Sequence, residues 1–131
     1  MREKRILIVD DEPVVTEMLK LNLEQIGKYV VSEENNPRQA LAAARQFQPD
    51  LVLLDVMMPG MDGGDVAAML ATDAQIREVP IIFLTALIST EEVPSGGLTN
   101  RQHRMLPKAT PINELIEHIE ATLVDSPVVR L

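Results

Sequence analysis

Asp10, Asp11, Asp55, Thr85 and Lys108 have the types and the spacing to do one piece of chemistry together. Each closes or follows a short, mostly apolar run. Ile6-Leu7-Ile8-Val9 leads into Asp10-Asp11-Glu12, and Leu51-Val52-Leu53-Leu54 leads into Asp55. Pro80 to Leu84 ends in Thr85, and the weaker run His103 to Pro107 ends in Lys108. Short continuous apolar runs bounded by turn residues read as strands buried on both faces, as in parallel sheets. In open α/β sheets, ligands bind at the carboxyl edge of such strands. Right-handed crossovers put those edges on one side, so the polar groups are expected to meet there.

Carboxylates crowded in this way repel one another, since an isolated Asp titrates at about 3.9. At neutral pH such a cluster calls for a cation among its oxygens. An all-oxygen set with room for water suits Mg²⁺ or Mn²⁺. A hydroxyl and an ammonium facing the same point can hold phosphoryl oxygens. A carboxylate serves as nucleophile when a metal neutralises the developing charge. The combination reads as metal-assisted phosphoryl transfer onto Asp55. Taken alone, Asp55 could simply cap a turn, because Asp is a frequent turn residue.

The elements that must position these groups alternate along the chain. Pro13 suits a first helical turn, and Val15, Leu19, Leu23 and Ile26 give an inward stripe that ends at Gly27. Tyr29-Val30-Val31 reads as a strand. Asn36-Pro37 opens a helix carrying Ala40, Leu41, Ala44 and Phe47, broken by Pro49-Asp50. Asp62 caps a further helix with Val66, Met69, Leu70 and Ile76 inward. Between Ile88 and Gln102 the helical pattern fails, because Pro94, Gly96 and Gly97 interrupt it; a full helix over 93–102 is not expected. Thr110-Pro111 opens the last helix, whose stripe is Ile112, Leu115, Ile116, Ile119 and Leu123. The pattern predicts an α/β fold, a doubly wound five-stranded parallel sheet with helices on both faces. One domain over 1–125 is expected, followed by a loose tail at 126–131.

Composition narrows the function classes. The 131 residues suffice for one domain with a sizeable core. Tyr29, Phe47 and Phe83 are the only aromatics, so that core must be aliphatic. The absence of Cys excludes thiolate metal sites and a Cys nucleophile. A net charge of −8 argues against direct contact with a nucleic-acid backbone. No apolar stretch is long enough for a membrane span, and Ile6 to Val9 is too short for a signal-peptide core. A cytoplasmic location is the expectation.

These residues resemble the receiver domain of two-component response regulators over nearly the whole chain. Asp10-Asp11 is similar to the family's acidic pair, and Asp55 within Asp-Val-Met-Met-Pro-Gly-Met-Asp-Gly to its phosphoacceptor motif. Thr85-Ala86 resembles the switch threonine with its small follower, and Lys108 the lysine after the fifth strand. The resemblance implies a flavodoxin-like strand order 2-1-3-4-5. It implies that Asp11 and Asp55 bind Mg²⁺ directly, that Asp10 helps through water, and that the backbone carbonyl of Met57 completes the set. Thr85 and Lys108 would hold phosphoryl oxygens, with Lys108 pairing to Asp55 when none is present. It further implies a signalling phosphoacceptor rather than an enzyme proper. The partners would be a sensor histidine kinase or histidine phosphotransfer protein and a downstream protein target.

The chain also departs from the family pattern. Met105 stands where an aromatic is usual, Ala109 where proline is usual, and the fourth helix is expected to be short or irregular. Met57 and Leu87 would flank the approach of a hydrolytic water, so a phosphorylated Asp55 is expected to be long-lived. A degenerate receiver that binds partners without phosphorylation is the alternative reading. An aspartyl phosphatase of the haloacid-dehalogenase type fails on chemistry, because Met57 stands where a general-acid Asp is needed. His103 and His118 lack paired metal-ligand spacing and read as solvated surface residues. The Met57, Met58, Met61 and Met69 set serves packing or an adaptable partner surface.

Overall fold

The computed structural model describes residues 3–86, 98–100 and 103–125, with the side chains of 98–100 left aside. The strands are β1 (Arg5–Val9), β2 (Val30–Glu34), β3 (Leu51–Asp55), β4 (Ile81–Thr85), β5 (Leu98–Asn100) and β6 (His103–Pro107). The helices are α1 (Pro13–Asn22), α2 (Ala40–Phe47), α3 (Gly63–Leu70) and α4 (Ile112–Asp125). The sheet order is β2-β1-β3-β4-β6-β5. Its five parallel strands follow the expected 2-1-3-4-5 order, and the short β5 adds an antiparallel edge beside β6.

That added strand was not expected. Three residues with no apolar alternation give no period to read, and pairing with β6 supplies the order that local sequence does not. A full helix over 93–102 is therefore absent, since residues 98–100 are extended. The segment 87–97, where an irregular helix is expected and where Leu87 lies, is outside the described residues, as are residues 126–131.

Side chains alternate across the sheet and build two aliphatic cores. Ile6, Ile8, Leu51, Leu53, Ile82 and Leu84 face the side closed by Leu23, Leu115 and Ile119. Leu7, Val9, Val52, Leu54 and Ile81 face the other side, closed by Ala40, Ala44, Val66 and Leu70. Every residue of β3 is buried, which is why its sequence is continuously apolar rather than alternating. Aliphatic packing of this kind stabilises by about 1.5–3 kcal/mol for each fully buried side chain.

The first helix departs from its expected stripe. It ends at Asn22 and passes into one π-helical turn, Leu23–Gly27, before Lys28 takes a left-handed φ of 57°. A π turn adds a residue to the repeat, which rotates Ile26 out of the core and leaves it 52% exposed. Leu23 stays fully buried. In α3, Asp62 and Asp65 form a reciprocal capping box, as the capping expectation for Asp62 requires. The helix is shorter than its periodicity implied, ending at Leu70, yet Ile76 still reaches the core through turns. Among the described residues, no helix is long and apolar enough to cross a membrane.

Two contacts tie this framework to the two ends of β3. Asp50 opens the strand by accepting the Arg5 N–H at 2.8 Å, while its own N–H donates to the Arg5 carbonyl at 2.7 Å. At the other end, α3 starts so close to β3 that only glycine fits. A Cβ on Gly63 would stand 2.5 Å from the Asp55 carbonyl oxygen and 2.9 Å from the Val56 Cα. Gly63→Ala is expected to destabilise the fold by about 1–3 kcal/mol, the usual cost of overpacking, as a lower urea midpoint. An unchanged midpoint would mean that α3 is free to move off the strand.

Candidate functional site

Backbone ladders bring the expected residues to one sheet edge. Asp10 continues β1 by donating its N–H to the Glu34 carbonyl at 3.2 Å. Asp55 is the last residue of β3, and the following Val56 N–H donates to the Leu84 carbonyl at 3.1 Å. Thr85 ends β4 and is buried, and its carbonyl accepts the Lys108 N–H at 2.8 Å. The turn after Lys108 is closed without the family's usual proline. Thr110 donates from both its N–H (3.0 Å) and its hydroxyl (2.6 Å) to the Pro107 carbonyl, which holds Ala109 in the turn.

Oxygens of Asp10, Asp11 and Asp55 all lie within 4.8 Å of one another. Asp10 and Asp55 are buried and Asp11 is half-buried. Asp55 is only 3% exposed. Its Oδ1 accepts the Met57 N–H at 3.3 Å. Its Oδ2 is buried with no hydrogen bond among the described residues. The Lys108 Nζ stands 3.3 Å from Oδ2 without hydrogen-bond alignment. That ammonium lies closer to Asp10, at 2.8 Å, and is also shared with Glu12 at 3.2 Å. The expected Lys108–Asp55 pairing is thus present as one arm of a three-carboxylate contact.

The electrostatics follow from this packing. Burial pushes the Asp55 carboxyl up to about 6, and the Asp10 charge adds to the rise. Lys108 and the Met57 N–H oppose it without cancelling it. Burial pulls the Lys108 ammonium the other way, but Asp10, Asp55 and Glu12 outweigh that pull and hold its pKa above the usual lysine value. An orphaned buried oxygen among three carboxylates is a hard, all-oxygen donor set, and it fits a divalent cation of the Mg²⁺ class.

Some residues around the site carried no signal in the sequence. Asn35 donates from Nδ2 to the Asp10 carbonyl at 2.7 Å and to the Thr16 hydroxyl at 3.1 Å, bracing the loop that holds the acidic pair. Glu12 belongs to a visible acidic run, but its reach to Lys108 depends on how β6 sits beside β4. Met57 is 58% exposed at the rim. The second flanking position, Leu87, lies outside the described residues.

His103 and His118 are not the solvated histidines expected. The His103 ring accepts the Ile81 N–H at 3.2 Å and meets Phe83 edge-on at 6.0 Å between centroids. His118 lies 2.8 Å from an Arg104 guanidinium nitrogen, and burial, then the Arg104 charge, pulls its pKa down. Both are half-buried partners of β4 and β6. Among the described residues, neither joins a metal-ligand group.

The chain is 39% identical over 120 residues to the DNA-binding response regulator MtrA of Mycolicibacterium smegmatis, covering 92% of this chain and 50% of that protein. It is 34% identical over 119 residues to the DNA-binding dual master transcriptional regulator RpaA of Synechocystis sp., covering 91% of this chain and 48% of that protein. The chain spans about half the length of these curated relatives. Among solved structures, the chemotaxis protein CheY4 of Vibrio cholerae superposes with a TM-score of 0.77 at 25% identity, covering 92% of this chain and 99% of that one. The N-terminal domain of a response regulator receiver protein from Methanoculleus marisnigri gives 0.65 at 31% identity, covering 97% and 98%.

These names correct the expected partner set, which excluded nucleic acid. MtrA and RpaA are DNA-binding regulators, so the acidic charge that prompted the exclusion does not carry it. Net charge describes the surface of the matched half alone. The sequence pattern of the response regulator receiver domain matches residues 6–120, which takes in β1 from Ile6 onward, β2 to β6 and α4 as far as Glu120, and the chain belongs to that family.

Proposed function

We propose that this chain is the phosphoacceptor domain of a two-component phosphorelay, taking a phosphoryl group from phosphohistidine onto Asp55. The observation that carries the reading is the Asp55 carboxylate, buried with an unbonded Oδ2 among Asp10, Asp11 and Lys108. Asp10, Asp11, Asp55 and the Met57 carbonyl would hold Mg²⁺ or Mn²⁺. When bound, that ion would supply positive charge against the incoming phosphoryl group. Lys108 and Thr85 would bind phosphoryl oxygens, and Asp55 would supply the nucleophilic oxygen. The chain acts on itself and turns over no separate substrate. The phosphorylated carboxyl then alters protein–protein interactions. The receiver is taken to span 1–125 and to work in the cytoplasm. The names of the relatives make control of DNA binding the output class to test.

With Mg²⁺ and acetyl phosphate or phosphoramidate, the protein is expected to gain one phosphoryl group by intact mass, and Asp55→Asn none. Equal modification of Asp55→Asn would remove Asp55 from the role.

The raised Asp55 pKa makes a second expectation. A carboxyl that titrates near 6 when folded and near 3.8 when unfolded favours the fold in its protonated form. Its contribution is fully present below pH 3.8 and is lost as pH rises through 6. Without divalent ions, the native protein should therefore lose stability relative to Asp55→Asn between those values, by up to about 3 kcal/mol. Adding Mg²⁺ at pH 7.5 should recover the loss in the native protein and leave Asp55→Asn unmoved. Parallel stability curves for the two proteins, with and without Mg²⁺, would contradict the site as described.

A further inference from the structure

Lys108 faces three carboxylates of very different solvation. The side chains of Asp10 and Asp55 are 3% and 2% exposed, whereas that of Glu12 is 62% exposed. Glu12 comes from a fixed backbone. Its N–H donates to the Asp10 Oδ1 at 3.0 Å, and its carbonyl accepts the Val15 and Thr16 N–H groups at 3.0 and 3.2 Å in the first turn of α1. From that anchor the side chain extends over the mouth of the site and takes the Lys108 Nζ at 3.2 Å. The deeper Asp55 Oδ2 meanwhile has the ammonium nearby at 3.3 Å and no hydrogen bond from it.

An ammonium has three N–H donors. An incoming phosphoryl group needs at least one of them, and its oxygens carry the same sign as Glu12. Asp10 and Asp55 would be costly to leave unpaired because they are buried. Glu12 is solvated and is the partner that can be released. We infer that Glu12 is a positioning residue, a displaceable counter-ligand that holds Lys108 toward the mouth and sets the donor concentration at which Asp55 is phosphorylated. The inference rests on Asp55 being the phosphoacceptor. In the step itself, an Asp55 oxygen bonds to phosphorus as the donor's P–N bond breaks. With phosphoramidate the electron pair leaves on nitrogen as ammonia.

The test follows phosphorylation rate against phosphoramidate concentration in Mg²⁺ by intact mass. Glu12→Gln should reach half its maximal rate at roughly 2–5-fold lower donor concentration, the scale of an exposed ion pair, with the maximal rate within about twofold of native. Glu12→Asp keeps the charge but is one methylene short of Lys108, so it should behave like Glu12→Gln. In a Lys108→Ala background, Glu12→Gln should have no effect. Native donor dependence in Glu12→Gln overturns the inference, as does native dependence in Glu12→Asp or an undiminished effect without Lys108. Modification of Asp55→Asn would instead sink the underlying assignment of Asp55. A native protein phosphorylated only on Asp55, with Glu12 variants indistinguishable from it, would sink the positioning role alone.

Discussion

A carboxylate buried at the end of an all-apolar strand, beside other carboxylates and short of hydrogen bonds, is the constraint on which this structure turns. Taking such a charge out of water costs several kcal/mol unless something compensates it. Asp55 receives partial compensation from the Met57 N–H and from an ammonium that Asp10 and Glu12 also claim. The remainder shows as an orphaned Oδ2 and a carboxyl that holds its proton up to about 6. A site left short of positive charge in this way is suited to a divalent cation. The protein supplies the cavity and leaves part of the compensation to what binds.

The rest of the fold can be understood as what holds that arrangement against its own repulsion. Two aliphatic cores, one on each face, clamp β3 so that its end cannot retreat toward solvent. Asp50 and Arg5 register the beginning of β3 against β1, and Gly63 lets α3 close on its end. Asn35 and Thr16 brace the loop carrying the acidic pair. The continuous ladder from Thr85 to Lys108 delivers the ammonium to the carboxylates. Apart from the Gly63 contact, each of these joins residues distant in sequence, so the site forms only when the sheet does.

The parts legible in the sequence were those written in local pattern. Continuous apolar runs revealed β1, β3 and β4, and the polar residue ending each run revealed the site, because strand direction fixes where a terminal side chain must go. Helix stripes worked where the helix stayed regular, as with Leu115 and Ile119 in α4, and failed at Ile26, where a π turn shifted the phase. Capping at Asp62 was legible because Asp65 lies within the same turn. Contacts between elements were not. The strand Leu98–Asn100 owes its order to β6, and His103 and His118 are tied up by Ile81 and Arg104. The reach of Glu12 to Lys108 likewise spans 96 positions. The exclusion of nucleic acid fails for another reason: the charge of one matched half does not speak for a function that relatives twice its length perform.

The strain of charge on Asp55 can be measured on that one group. Carboxyl ¹³C NMR, with the Asp55 resonance assigned by its loss in Asp55→Asn, gives its titration directly. In metal-free protein the midpoint should lie near 6, and Mg²⁺ should drive it down. A midpoint near 3.8 without metal, unmoved by Mg²⁺, would contradict the account.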